Sequence, residues 1–142
     1  MRRWSPNMQK VLELTKEDIA YIAGFFDGEG SITLYKNGNR PACKLTVCQK
    51  RGDVIHWLHS VFSGSATVRY RKTPAGDDTH LHEWNVNGFD GPLFILKLLR
   101  PYLRVKALEA DIAVSVLENI STLTIEEFET KIIDLKNSRK VS

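Results

Sequence analysis

The sequence of 142 residues lacks several features that particular protein classes require. It has only two cysteines, Cys43 and Cys48, which are too few for a small disulfide-rich secreted fold, and their odd spacing would place them on opposite faces of a strand. No apolar run approaches the roughly 20 residues of a membrane-spanning helix. The basic N-terminus also lacks the apolar stretch of a secretory signal. We therefore expect reduced thiols in an intracellular protein with no membrane partner.

Acidic residues are nearly absent from the middle of the chain. Between Thr33 and Thr73, eight basic residues stand against a single acid, Asp53, so this stretch carries +7 although the whole chain carries only +3. Acids gather instead between Ala107 and Leu135. Such asymmetry indicates a polyanionic partner on one face of the molecule. A solvated charged surface is the alternative when charge is the only signal.

Apolar periodicity and turn residues predict the order of the elements. A helix at 15–28 begins with the capping-box residues Thr15 and Asp18. Further helices are predicted at 53–62, 90–99, 103–120 and 124–137, and strands at 31–35, 40–50, 67–72 and 80–86, with a hairpin turn at Asn37-Gly38. The prediction is a single α+β domain over 1–142. An αββαββα core at about 15–99 forms a four-stranded antiparallel sheet with helices on one face, and C-terminal helices follow at about 103–137.

Alternation along the predicted strands gives the sheet one apolar and one polar face. A twisted sheet with a polar, cationic face fits the major groove of double-stranded DNA, where Arg suits guanine and Asn suits adenine. The residues predicted to contact DNA are Ser31, Thr33, Tyr35, Asn37, Arg40, Lys44, Thr46, Lys50, Arg69, Arg71, Lys72, Glu83 and Asn85. Among them, Arg69 and Arg71 are the first candidates for base contacts.

The most specific pattern is YIAGFFDGEG at 21–30. Ala20, Gly24 and Gly28 recur every four residues, so one stripe of the helix has almost no side chains and a second helix can approach closely. The same stripe would also suit an ordinary core contact. Asp27 and Glu29 stand at the C-terminal end of the helix, where the helix dipole disfavours negative charge, so they need a compensating partner. Carboxylates beside exposed carbonyls are ligands that Mg²⁺ prefers.

At these residues the sequence resembles the LAGLIDADG homing endonucleases, whose motif is represented here by IAGFFDGEG. The predicted order of elements and the segment LRPYLRVK at 99–106 are also similar to the family. The resemblance implies a site-specific endonuclease that makes a staggered double-strand break and is encoded within a mobile intron or as a free-standing gene, with the intron favoured. It further implies Mg²⁺ as the cofactor, with Mn²⁺ able to substitute.

The resemblance also implies roles for individual residues. Glu29, where the family more often has Asp, would bind the catalytic metal, and Gly28 would lend it a backbone carbonyl. Lys106 would lie near the scissile phosphate and Gln49 would organise solvent there. Some relatives have an arginine directly after this glutamine, and Arg51 is the nearest substitute in this chain.

Only one copy of the motif is present, although a double-strand break requires two cutting sites. The resemblance therefore implies a homodimer that reads a pseudo-palindromic target. The predicted dimer interface consists of Ala20, Gly24, Phe25, Asp27 and Gly28.

Two other functions remain open on the same fold: an RNA maturase that assists intron splicing, with RNA as its partner, and a DNA-binding regulator that does not cleave. Retention of both Glu29 and Lys106 favours cleavage. Zinc binding by the four histidines is disfavoured because no cysteines stand at zinc-finger spacing.

Overall fold

The computed structural model describes residues 3–72, 74 and 78–139, with only the backbone described for Arg71, Lys72, Asp78 and Thr79. The helices are α1 (Met8–Glu13), α2 (Lys16–Glu29), α3 (Gly52–Phe62), α4 (Asp90–Leu99), α5 (Ala107–Glu118) and α6 (Ile125–Ser138), with a 3-10 turn at Arg100–Tyr102. The strands are β1 (Gly30–Asn37), β2 (Arg40–Gln49), β3 (Ser65–Lys72) and β4 (Asp78–Gly88). They form one antiparallel sheet in the order β1-β2-β4-β3. The predicted α+β class, the αββαββα order and the C-terminal helices are confirmed; α1 was not predicted.

The hydrophobic core lies between one face of the sheet and the helices. Ile32, Leu45 and Trp84 point from three strands into this layer and are at most 1% exposed. From the helix side, Phe62 packs its ring 6.1 Å from that of Trp84. Cys43 belongs to the same core, and burial raises the pKa of its thiol to about 12. Because the core occupies this face, the other face of the sheet is left for contacts outside the chain.

Helix α2 runs directly into strand β1 without a loop. Its N-terminus has the predicted capping box, in which the Thr15 hydroxyl accepts from the Asp18 N–H and the Asp18 carboxylate accepts from the Thr15 N–H. At the other end, Glu29 is the last helical residue and Gly30 the first residue of the strand. A Cβ at Gly30 would lie 2.7 Å from the Phe26 carbonyl oxygen, so only glycine fits this tight junction.

The β1–β2 hairpin turns one residue later than predicted. Asn37 pairs with Arg40, so the two loop residues are Gly38 and Asn39 rather than Asn37 and Gly38. Gly38 has φ of +66°, whereas Asn39 does not have a positive φ, which is the pattern of a type II′ turn. This shift of the turn leaves the predicted alternation unchanged, because the side chains of β1 and β2 still point to the predicted faces of the sheet.

The helix predicted at 103–120 is also corrected by the structure. The chain forms a short 3-10 turn at Arg100–Tyr102 and extended backbone at Leu103, and α5 begins only at Ala107. Apolar periodicity could not reveal this start, because the backbone N–H groups of Arg104 and Lys106, which precede α5, donate hydrogen bonds to Asp27 on α2. Among the described residues, no helix is long and apolar enough to cross a membrane.

Candidate active site and nucleic-acid interface

The polar face of the sheet is continuous across the paired strands. Ser31 lies opposite Thr46, and Thr33 opposite Lys44; on the next strand, Thr46 lies opposite Asn85. Of the residues predicted to contact DNA, Ser31, Thr33, Asn37, Arg40, Lys50 and Arg69 are exposed, Tyr35, Lys44, Thr46 and Asn85 are half-buried, and Glu83 is buried. Arg71 and Lys72 lie on β3, but their side chains are outside the described part of the chain. DNA contact by these residues remains a prediction.

Glu83 is the one buried carboxylate on this polar face among the described residues, at 6% exposure. Its oxygens accept hydrogen bonds from Arg69 Nη2, Asn85 Nδ2 and Cys48 Sγ. Glu83, itself a predicted DNA contact, is therefore already hydrogen-bonded to two other predicted DNA contacts, Arg69 and Asn85. Burial and the hydrogen bond to Glu83 raise the pKa of the Cys48 thiol, so this cysteine is kept as a neutral donor.

Glu29 stands at the C-terminal end of α2, where the helix meets the sheet. It is exposed, and no other described residue makes a hydrogen bond or ion pair with its carboxylate. Together with Cys48, Arg69 and Glu83 it lines a cavity of about 550 Å³. The motif acid is thus open to solvent beside the polar face of the sheet.

Lys106 is brought to the same end of α2 by Asp27. The two oxygens of the Asp27 carboxylate accept from the backbone N–H groups of Arg104 at 2.8 Å and Lys106 at 3.0 Å. The Lys106 ammonium in turn donates to the Asp27 backbone carbonyl at 2.7 Å. A cation at the negative end of the helix dipole is favourable, so this is the compensating partner that the motif needs.

Asp27 therefore has a structural task inside its own chain that the motif pattern did not reveal. The sequence predicted it for the dimer interface, and its position there is still untested. A signal was available, because an acid at a helix C-terminus requires a donor. The pattern did not say that the donors would be backbone N–H groups 77 and 79 residues away.

Gln49 is the last residue of β2, at the end of the sheet where Gly30 pairs with Val47. Its side-chain oxygen accepts from the Lys50 N–H at 2.8 Å, which leaves its amide group available as a donor. Gln49 lines a cleft of about 260 Å³ with Arg51 and residues of α2. Arg51 forms an exposed ion pair with Asp53 at 3.6 Å.

The oxygen atoms at the end of α2 suit a hard divalent cation. The last capping hydrogen bond of the helix runs from the Gly30 N–H to the Phe26 carbonyl, so the Gly28 carbonyl lies beyond it, where carbonyls lack donors from the helix. The exposed Glu29 carboxylate belongs to the next residue, and carboxylate and carbonyl oxygens are Mg²⁺ ligands. Within the described residues, no group of three or more His, Cys, Asp or Glu could hold a metal ion. Glu29 and the Gly28 carbonyl alone would therefore fill only part of the coordination sphere of such an ion.

The small-residue stripe of α2 is open on the surface of the chain. Ile22, Ala23 and Phe26 face the core, whereas Gly24 and Gly28 are exposed. A Cβ built at Gly24 or Gly28 would meet nothing within 4 Å. The stripe is therefore not an ordinary core contact within this chain, although a role as dimer interface is untested.

Sequence reasoning missed two features of the sheet and its surroundings. Asn87 is exposed on the polar face opposite Lys44, and it could have been found by continuing the alternation from Asn85. The buried Glu109 accepts from Arg139 Nε at 3.4 Å, and the Arg139 guanidinium also donates to the Ile32 carbonyl. This contact ties α6 to the start of β1, and nothing in the local sequence indicated it.

No family model matches the sequence, and no curated protein matches it. Solved structures do match the fold. The homing endonuclease I-CvuI, in complex with the I-CreI target in the presence of Mg, superposes with a TM-score of 0.56 at 19% identity over 92% of this chain and 98% of that one. I-CvuI with its own target and Ca gives a TM-score of 0.55 at 20% identity over 94% and 82% of the chains.

The LAGLIDADG meganuclease I-AabMI, bound to uncleaved DNA, gives a TM-score of 0.58 at 18% identity, over 83% of this chain but only 43% of that one. This chain is therefore similar both to a structure of about its own length and to part of a longer one. It has the fold of the LAGLIDADG homing endonucleases, as the motif at 21–30 predicted.

Proposed function

We propose that this chain is a DNA endonuclease that hydrolyses both strands of one long, pseudo-palindromic target as a homodimer, with Mg²⁺ as cofactor and Mn²⁺ as a substitute. The observation that carries the proposal is the end of α2. There, an exposed carboxylate, Glu29, and a positioned ammonium, Lys106, lie beside a polar sheet face. The DNA bound in the similar structures also supports DNA as the substrate. The intron-encoded, intracellular origin implied by the motif belongs to this proposal.

In the proposed reaction, Glu29 and the Gly28 carbonyl would hold the divalent cation, and when bound the cation would supply Lewis-acid stabilisation of charge on the phosphate. Lys106 uses one of its three N–H donors on Asp27 and keeps two for an oxygen of the scissile phosphate. Gln49 orients water through its amide group. Hydrolysis adds the hydroxyl of water to phosphorus, breaks one P–O bond, and transfers the proton of water to the leaving oxygen.

The proposed homodimer solves the problem of the incomplete coordination sphere. Two copies packed along the open Gly24 and Gly28 stripe would bring two α2 ends, and hence two Glu29 carboxylates, close together. Phosphate oxygens and water would supply the remaining ligands. The polar faces of two sheets would then lie along two half-sites related by a two-fold axis.

The experiment is incubation of the protein with a library of randomised DNA duplexes and Mg²⁺, followed by sequencing of the ends produced. We expect staggered ends from a single pseudo-palindromic sequence family, and the same ends with Mn²⁺. A library that yields no ends with either ion would contradict the proposal. Enrichment of uncut duplexes would indicate the DNA-binding regulator, and selective enrichment of structured RNA would indicate the maturase.

A further inference from the structure

Among the predicted DNA contacts whose side chains the structure describes, Glu83 alone is buried, and its carboxylate already accepts three hydrogen bonds. Arg69 Nη2 lies 3.1 Å from its Oε1 and 3.2 Å from its Oε2. Asn85 Nδ2 is 3.3 Å from Oε2, and Cys48 Sγ is 3.5 Å from Oε1. Two hydrogen bonds thus reach Oε2 and one reaches Oε1, which is also within ion-pair distance of Arg69, so the buried Glu83 carboxylate has little capacity left to accept a hydrogen bond from a base.

The register explains why these donors converge. Glu83 on β4 lies directly opposite Cys48 on β2 and Thr67 on β3, and Arg69 follows Thr67 on the same face of β3. Arg69 therefore reaches Glu83 along a diagonal, within the range of a long side chain. A buried carboxylate without partners is strongly unfavourable, so the cluster holds the Arg69 side chain in one position.

Arg69 nevertheless remains available to a ligand, because its side chain is 67% exposed. A guanidinium has five N–H donors, and one N–H of Nη2 is directed at Glu83. The other N–H of Nη2 remains parallel to a neighbouring N–H, on Nε or on Nη1. One complete two-donor edge is therefore left, which is the arrangement that matches O6 and N7 of guanine.

We propose that Glu83 is a positioning residue that does not touch DNA and that orients Arg69 to read one guanine in each half-site. This inference rests on the proposed function and deepens it. The negative charge of Glu83 also offsets part of the positive charge of Arg69, which weakens nonspecific attraction to phosphates relative to the directional contact with the base. Specificity at that base pair is thus assigned to the Glu83–Arg69 pair and not to Arg69 alone.

The test compares binding of wild type, Glu83→Gln, Arg69→Ala and the double variant to the randomised duplex library. We expect Glu83→Gln to lower discrimination for guanine about tenfold at one base pair per half-site, the order expected of one bidentate contact. Arg69→Ala should lower it at the same base pair, and the double variant should show no further loss. Glu118→Gln removes the same charge from an exposed ion pair with Lys97 and is the matched control, which should not change the profile.

Several outcomes would overturn the inference. A change at a different base pair that persists in the Arg69→Ala background would make Glu83 a direct DNA contact. Reduced stability of Glu83→Gln with an unchanged base preference would show that Glu83 has only a structural role. If wild type selects no DNA sequence, the proposed function fails and this inference fails with it, whereas selective wild type with an unaltered Glu83→Gln profile overturns this inference alone.

Two further measurements keep the test decisive. Without DNA, the NMR order parameter of Arg69 Nε should fall in Glu83→Gln, and an unchanged value would overturn the inference. If loss of the Glu83 charge prevents folding, Arg69→Lys keeps a cation beside Glu83 but removes the two-donor edge. Arg69→Lys should bind nonspecific DNA like wild type and lose the guanine preference; a retained preference would contradict the proposal.

Discussion

The two faces of the sheet are made by the same strands but are organised by different physical requirements. On the core face, side chains such as Ile32, Leu45 and Trp84 are almost completely buried against helices. On the polar face, residues of neighbouring strands, such as Thr33 and Lys44, lie opposite each other across the sheet and remain exposed or half-buried. Substitutions on the first face should therefore change stability, and substitutions on the second should change recognition.

Phe62→Ala should produce the largest loss of stability. Phe62 is fully buried beside Trp84, so the variant leaves a cavity and should lower the free energy of unfolding by about 3–5 kcal/mol. Denaturant unfolding measures this change. Lys44→Ala, on the polar face, is the matched control and should change stability by less than about 0.5 kcal/mol while weakening DNA binding. Equal losses of stability in the two variants would break the comparison between the faces.

Glu29→Gln should have the largest effect on catalysis without a matching effect on stability. The substitution keeps size and hydrogen-bonding capacity but removes the charge proposed to hold the cation, so the cleavage rate should fall by about 100-fold or more. Rates are measured on a cognate duplex with Mg²⁺, and binding is measured with the same duplex. Cleavage at nearly the wild-type rate would contradict the assignment of Glu29.

Gly24→Leu should separate the fold of one chain from the assembly of two. A Cβ at Gly24 meets nothing within 4 Å in its own chain, whereas in the proposed dimer the leucine would be inserted at two symmetry-related positions, each costing about 1–3 kcal/mol. The variant should unfold like wild type but sediment as a monomer and fail to cut both strands. Gly24→Ala should show a smaller shift. Wild type that stays monomeric on its target would refute the dimer.

Asp111→Asn should have the smallest effect, because its ion pair with Arg100 belongs to neither face of the sheet. The Arg100 guanidinium, which donates to both Asp111 oxygens, lowers the pKa of this carboxyl below its usual value of 3.8. The pair should therefore stabilise the fold above that pH, by less than about 1 kcal/mol because it is exposed, and the contribution should vanish as the pH falls through the lowered pKa. The free energy of unfolding of wild type and of Asp111→Asn, measured across this pH range, tests the prediction. A difference in stability between the two proteins that persists in acid would contradict the explanation.

The core face of the fold was largely predictable because alternation and helical periodicity report burial directly. Cys43, Leu45 and Val47 are buried as their spacing indicated. The start of α5 and the partners of Asp27 were not predictable, because they depend on hydrogen bonds between residues distant in sequence. Alternation also identified the polar face as a surface. It did not reveal that Glu83 is buried within this face, because that burial depends on donors from other strands.

The loopless junction at Gly30 has a consequence for how such a molecule can change over generations. Glu29 is fixed by a helix on one side and a strand on the other, and the junction tolerates neither a side chain at Gly30 nor an inserted residue without displacing one of those elements. The exposed positions of the sheet carry no such restriction. In the proposed endonuclease, new target sequences could therefore be acquired by replacing side chains on the strands while Glu29 stays in place, so that the residues proposed for recognition can change independently of the residue proposed for catalysis.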